Sequence, residues 1–159
     1  MSGEEGSGEG RNVVKLDDLS IEQLTRLQKQ FEQEIEFFGE SVKQLKIAHS
    51  KYNNSGEAAA KLREAKSGDS TLIPLSESMY IRATLSDPDA MLVDIGTGYY
   101  AEMTAEKAQD YFQRKSKYLT NQIENVEKLH RDTQTSRMRV TEKLQAKIRV
   151  SLAAQQQQQ

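Results

Sequence analysis

The sequence predicts a mostly α-helical fold with a small β island: two long helices in an antiparallel coiled coil, joined by two β-hairpins. Three observations predict it. Apolar residues recur at three- and four-residue spacing through residues 21–59, and again through 112–152, the signature of a helix that buries one stripe. Between Thr71 and Met103 the pattern changes to alternation, the signature of half-buried strands. At the centre of that island, two apolar runs meet at Gly96-Thr97-Gly98, read as a three-residue turn whose glycines reach the positive φ that closing a hairpin needs. A hairpin reverses the chain, so the two helices are expected to run antiparallel.

Composition agrees with that architecture. A chain of 159 residues is normally one domain, but 36% hydrophobic and 6% aromatic residues are too little for a thick globular core and suit long helices. The expected organisation is a disordered tail over 1–18 and a single domain over 19–154, followed by a poly-glutamine tail over 155–159. Within the domain, the helices are placed at 20–66 and 104–153 and the hairpins at 71–103. A net charge of −2 gives no global attraction to nucleic acid or to an anionic membrane. The absence of cysteine excludes disulfides and thiolate zinc sites and fits a reducing compartment. No apolar run approaches the length of about 18 residues that a membrane span needs. Met1 to Gly10 is rich in Gly, Ser and Glu and lacks the basic-then-apolar order of a signal peptide.

Ser20 and Gln23 stand at capping-box spacing, with Leu19 and Leu24 at the positions of a hydrophobic staple. The first stripe runs Ile21, Leu24, Gln28, Phe31, Ile35, Phe38, Val42, Leu45, His49, Tyr52, Gly56, Ala59, with Leu27 widening it. Asn53 to Gly56 are poor helix formers, but strong formers resume at Glu57, so the helix is expected to continue until the Gly68 region. Four strands follow: around Leu72 to Leu75, at its edge because of Pro74, around Met79 to Leu85, and at Met91–Ile95 and Tyr99–Met103, with a turn at Asp87-Pro88-Asp89. Thr104 caps the second helix, whose stripe runs Phe112, Ser116, Leu119, Ile123, Val126, His130, Thr133, Arg137, Val140, Leu144, Ile148, then Leu152. Each helix would be on the order of 70 Å long, and facing residue numbers should sum to about 170. Charge supports the pairing. Glu22, Glu32, Glu34, Glu36 and Glu40 against Arg26 and Lys29 leave −3, and Arg131, Arg137, Arg139, Lys143 and Lys147 against Asp132 and Glu142 leave +3.

Chemistry is hard to find in this pattern. Asp94-Ile95-Gly96-Thr97-Gly98 is similar to the phosphate loop of actin-like ATPases, but that loop needs a large two-lobed fold, so the hairpin turn is the expected reading. His49 and His130 are the only histidines and are expected about 15 Å apart along the coil, too far for a shared metal. No catalytic residue, cofactor site or metal site is expected, and no enzyme. The basic stretch Arg131 to Arg149 lacks interleaved aromatics and faces an acidic helix, so no nucleic-acid partner is expected either. At the end of the coil away from the island, apolar residues exceed what a two-helix seam buries. Leu16, Leu19, Ile21, Leu24 and Leu27 meet Leu144, Ile148, Val150 and Leu152, with Val13 and Val14 upstream. An excess of this kind marks a candidate interaction surface.

Several stretches also match a known family: Glu34-Ile35-Glu36-Phe37-Phe38, Gln44-Leu45-Lys46, Pro74-Leu75-Ser76-Glu77-Ser78-Met79-Tyr80, Leu92 to Tyr100, and Thr104-Ala105-Glu106. From about Leu19 to Ile148 the chain closely resembles prefoldin subunits of the α-type class. Arg82-Ala83 stands where the family usually has Pro-Gly. The resemblance implies a subunit of a hexamer of two α-type and four β-type subunits, whose hairpins close into oligomeric β-barrels. It implies assembly through Leu75, Met79, Ile81, Leu92, Val93, Ile95, Gly96, Gly98, Tyr99 and Tyr100. It further implies client binding at the coil tips, around Leu16, Leu19, Ile21, Leu24, Leu27, Leu144, Ile148 and Leu152. The clients would be unfolded actin and tubulin, passed to the cytosolic group II chaperonin, in the cytoplasm with the nucleus as a second location. The alternative is a scaffold subunit of a prefoldin-like regulatory complex that handles no client itself.

Overall fold

The computed structural model describes residues 15–156. The expected tail residues 1–14, with Val13 and Val14, and Gln157 to Gln159 lie outside the described part. The element order is a single 3-10 turn at Leu16–Asp18, α1 (Ile21–Glu64), β1 (Ser70–Pro74), β2 (Tyr80–Thr84), β3 (Met91–Gly96), β4 (Tyr99–Met103) and α2 (Ala105–Gln156). The strands form two separate two-stranded antiparallel sheets, β1–β2 and β3–β4, and no barrel closes within the described residues. The chain divides into two compact units. In the described part, the first holds residues 15–39 and 128–156, and the second holds Glu40–Glu127.

The helix starts form as their sequences dictate. Gln23 N–H donates to Ser20 Oγ at 3.2 Å and Ser20 N–H donates to Gln23 Oε1 at 2.8 Å, the reciprocal pair of a capping box. Thr104 Oγ1 accepts from Lys107 N–H at the start of α2. α1 continues through Asn53 to Gly56, where tertiary packing outweighs weak propensity. It ends at Glu64, two residues before the expected end, because the following backbone is drawn into other bonds. Asp69 Oδ2 accepts from Lys66 N–H, Gly68 takes φ +94°, and Gly68 N–H donates to Leu85 O.

In the first unit, α1 and α2 pack antiparallel around Leu24, Val140 and Leu144, all buried, with Leu16, Leu19, Leu27 and Phe31 half-buried against them. The sequence places residues 15–18 in a disordered tail. The structure instead forms a turn there, because Leu16 has an apolar seat on this cluster. In the second unit, the face of β3–β4 carrying Met91, Val93 and Met103 packs on Ala59 and Ala108, with Tyr111 and Phe112 beside them. Small residues on both helices let the hairpin approach.

Polar positions in the seams find partners across them. Gln28 Nε2 donates to Thr141 Oγ1 at 3.2 Å in the first unit. In the second, His49 Nε2 lies 2.9 Å from Ser116 Oγ and 3.2 Å from Thr120 Oγ1. Those hydroxyls donate elsewhere, to Asn53 Oδ1 and to the Ser116 carbonyl, so the arrangement fits His49 protonated on Nε2. Such layers hold register, since a slip would leave them unpaired. These facing pairs sum to about 165–170, as antiparallel helices centred on the hairpins require. The opposite charge balances of the two helices do not resolve into bridges. Among the described residues, no ion pair joins Glu22–Glu36 to the basic residues of α2. Lys46 of α1 pairs with Glu127 of α2 at 2.7 Å, and Lys143 of α2 pairs with Asp17 in the turn ahead of α1.

Candidate assembly and client surfaces

The β3–β4 turn is tighter than the sequence suggests. Gly96 pairs with Tyr99, leaving a two-residue turn of Thr97 and Gly98 with φ +53° and +79°. Positive φ at both central residues is the turn whose twist matches a hairpin. Register shifts between Asp94 and Gly96, so Ile95 sits in a bulge, and Asp94 Oδ1 accepts from Gly96 N–H at 2.8 Å. Arg82 and Ala83, where the family pattern differs, lie in mid-strand opposite Leu72 and Thr71. The Asp87 carboxylate bonds Asp89 N–H and shapes the link between the hairpins.

Strand alternation sorts the expected assembly residues. In β3–β4, Val93 and Ala101 share the face that packs on the helices, while Leu92, Asp94 and Tyr100 share the other. Val93 therefore belongs to the chain's own core at 6% exposure, which corrects the expectation that it meets a partner. Leu92, Ile95, Tyr99 and Tyr100 are open, at 47–70% exposure. In β1–β2, Ile73 and Ile81 share one face, and Leu72 and Tyr80 the other, and all four are exposed. Leu75 and Met79 are equally open and lie in the loop between those strands, where Leu75 N–H donates to Met79 O. Leu72, Ile73 and Tyr80 are absent from the sequence-derived set. The unbroken pair Leu72-Ile73 carries the signal, since adjacent apolar residues in a strand point to burial on both faces.

An isolated two-stranded hairpin is marginal in water, and each sheet here leaves its edges unpaired. Two such sheets covered with exposed aliphatic and tyrosine side chains form an apolar surface of the kind that marks a protein interface. Beside it, within the same unit, an open cavity of about 750 Å³ is lined by Tyr52, Leu62, Leu85, Pro88, Met91 and Phe112 among others.

The eight expected tip residues separate into three groups. Leu24 and Leu144 are core. Leu16, Leu19 and Leu27 lean on that core, half-buried. Ile21, Ile148 and Leu152 are exposed, as is Val150. Ile21 and Ile148 continue the stripes of Leu24 and Leu144 by one turn, but α1 begins at Ile21, so less of an opposing helix is there to cover them. Sequence spacing alone does not reveal how Lys143 and Lys147 join this region. Lys147 Nζ donates to the carbonyls of Asp17 and Leu19, and Lys143 pairs with the Asp17 carboxylate. The hydrogen bond from Lys143, together with its charge, holds the Asp17 carboxyl below the usual carboxylate range.

Among the described residues, no three His, Asp or Glu side chains cluster to hold a metal, and no helix is long and apolar enough to cross a membrane. The basic residues Lys143 and Lys147 face the chain's own backbone and Asp17.

Two helices packed antiparallel within each unit and joined by two separate β-hairpins define a class: a helical-hairpin chain that carries two small open sheets between its helices. The chain belongs to the prefoldin family. The model of the prefoldin subunit matches residues 21–149. Relatives named prefoldin subunit 5 include a probable one from Caenorhabditis elegans, 44% identical over 140 residues covering 88% of this chain and 92% of that protein. The Homo sapiens prefoldin subunit 5 is 36% identical over 135 residues, covering 85% of this chain and 88% of that protein. A filamentous PFD from Methanocaldococcus jannaschii, solved by cryo-EM, shares the fold with a TM-score of 0.60 and 19% identity, covering 80% of this chain and 97% of that chain. The chain is thus a chaperone-type subunit, of a family that assembles with other prefoldin subunits and is not a known enzyme family.

Proposed function

We propose that this chain is a non-enzymatic co-chaperone subunit of a hexameric complex. Its hairpins join β-type prefoldin subunits and a second α-type subunit, so that strands from several chains close into barrels. The residues around Ile21, Ile148 and Leu152 take part in capturing unfolded clients of the actin and tubulin type, which pass to the cytosolic group II chaperonin. The working location is the cytoplasm, with the nucleus as a second.

The observation that carries this reading is the open apolar surface of the two hairpins. Ten side chains of the island (Leu72, Ile73, Leu75, Met79, Tyr80, Ile81, Leu92, Ile95, Tyr99 and Tyr100) stand 45–70% exposed, which suits strands that meet partner strands. The exposed apolar residues of the first unit support client capture in the same way, since a flexible apolar segment needs an apolar seat without strict geometry.

The client reading has a direct test. Ile21→Ser, Ile148→Ser and Leu152→Ser are combined in the assembled complex. These residues are 36–55% exposed, so folding should change little. Suppression of denatured-actin aggregation is expected to fall severalfold. Suppression equal to that of the unaltered complex contradicts capture by these residues.

A further inference from the structure

The segment ahead of α1 is bound to α2 in a way that does not depend on its sequence alone. Lys147 Nζ donates to two main-chain carbonyls, Asp17 O at 2.7 Å and Leu19 O at 2.5 Å. Carbonyls are common to every peptide, so this grip suits any segment that can turn two main-chain carbonyls, two residues apart, toward the ammonium. Lys143 adds a charge contact to the Asp17 carboxylate, which is itself largely exposed. Leu16 and Leu19 supply the apolar part, resting on Leu24, Val140 and Leu144.

Three features make this segment easy to lift. It is one 3-10 turn without a side-chain cap at Lys15. Its ion pair is exposed, and exposed pairs contribute little. Helix α1 does not depend on it, because the Ser20–Gln23 capping box closes the helix start by itself. Lifting it uncovers apolar side chains that are otherwise fully buried. An open groove of about 460 Å³ adjoins it, lined by Ile21, Val150, Lys143 and Lys147 among others, so the seat continues beyond the segment.

We propose that residues 15–19 form a displaceable strap. The surface beneath it accepts, in place of the strap, a short apolar segment carrying an acidic residue from an unfolded chain. Leu24, Val140 and Leu144 receive its apolar side chains, Lys147 its main-chain carbonyls and Lys143 its carboxylate. This rests on the client-capture reading above and adds to it a seat, a ligand class and a built-in competitor. The strap itself, an apolar pair at Leu16 and Leu19 around Asp17 and Asp18, is the pattern of what fits.

The test uses the full-length chain in the assembled complex and, as probe, a fluorescent peptide carrying residues 15–20 of this sequence. Asp17→Lys sets a third cation against Lys143 and Lys147 and opens the strap while leaving the capping box intact. The double change Leu16→Ser with Leu19→Ser opens it independently by removing its apolar contacts. Both variants are expected to bind the peptide at least tenfold more tightly than the unaltered complex, and adding Lys147→Met to Asp17→Lys is expected to remove most of that gain. Equal affinity in the unaltered complex and both strap variants, or no binding to any of them, overturns the proposal. Client capture fails separately: the peptide would still discriminate strap variants, while suppression of actin aggregation ignored the changes at Ile21, Ile148 and Leu152.

Discussion

Leu24→Ala is expected to destabilise the first unit by about 3 kcal/mol, within the range of about 2–5 that buried leucines lose. Leu24 is fully buried between Val140 and Leu144, and Leu16, Leu19, Leu27 and Phe31 close around it. Truncation leaves a cavity that the straight backbones of two capped helices cannot collapse to fill. Hydrogen exchange in the assembled complex reads this locally, without the concentration dependence that complicates global unfolding of an assembly. Amides around residues 21–31 and 137–147 should exchange roughly a hundredfold faster, as about 3 kcal/mol implies. Exchange within a few-fold of the unaltered protein would show that this cluster does not hold the unit together. The same substitution also separates core from surface at the tip, since Ile21→Ala, at an exposed position, should leave exchange nearly unchanged.

Gly96→Val should disable the β3–β4 hairpin. Gly96 has φ +107°, outside what a β-branched residue adopts, and nothing lies within 4 Å of where its Cβ would stand. The penalty is therefore backbone strain rather than a clash, of order 1–3 kcal/mol or more. That is comparable to the whole margin of a two-stranded sheet, which is at best marginal in water. Asp94 Oδ1 would lose its bond to Gly96 N–H as the turn shifts. The measurable outcome is a chain that stays helical by circular dichroism but enters the complex in less than about a tenth of the usual yield, following the tenfold that about 1.4 kcal/mol represents. Normal incorporation would mean that partner strands supply enough energy to impose the turn on any residue.

The helices are legible in the sequence because their signals are local and repeated. Stripe residues from Leu24 to Ala59 in α1, and from Phe112 to Leu144 in α2, lie half-buried or buried, with Arg137 exposed among them. The polar interruptions at Gln28 and His49 are paired layers. Features that depend on contacts distant in sequence are harder to read. The end of α1 is set by Gly68 bonding Leu85, and the order of residues 15–19 by Lys143 and Lys147, more than a hundred residues away. Neither leaves a periodic trace. The bulge at Ile95 follows from the two-residue turn, which pattern alone reads as three. The resemblance implies a partner contact for Val93; alternation shows only that one face of β3 is buried, and the surface that buries it is the chain's own helices. Hairpin β1–β2 is the opposite case, since both its faces are apolar and both are open.

Native mass measurement after co-expression with β-type prefoldin subunits and a second α-type subunit tests the assembly role most directly. The expected result is a six-chain particle containing one copy of this chain, and loss of the chain from that particle when Ile73→Asp and Ile81→Asp are introduced together. A stable monomer in the presence of all partners, or full incorporation of the doubly substituted chain, would contradict it.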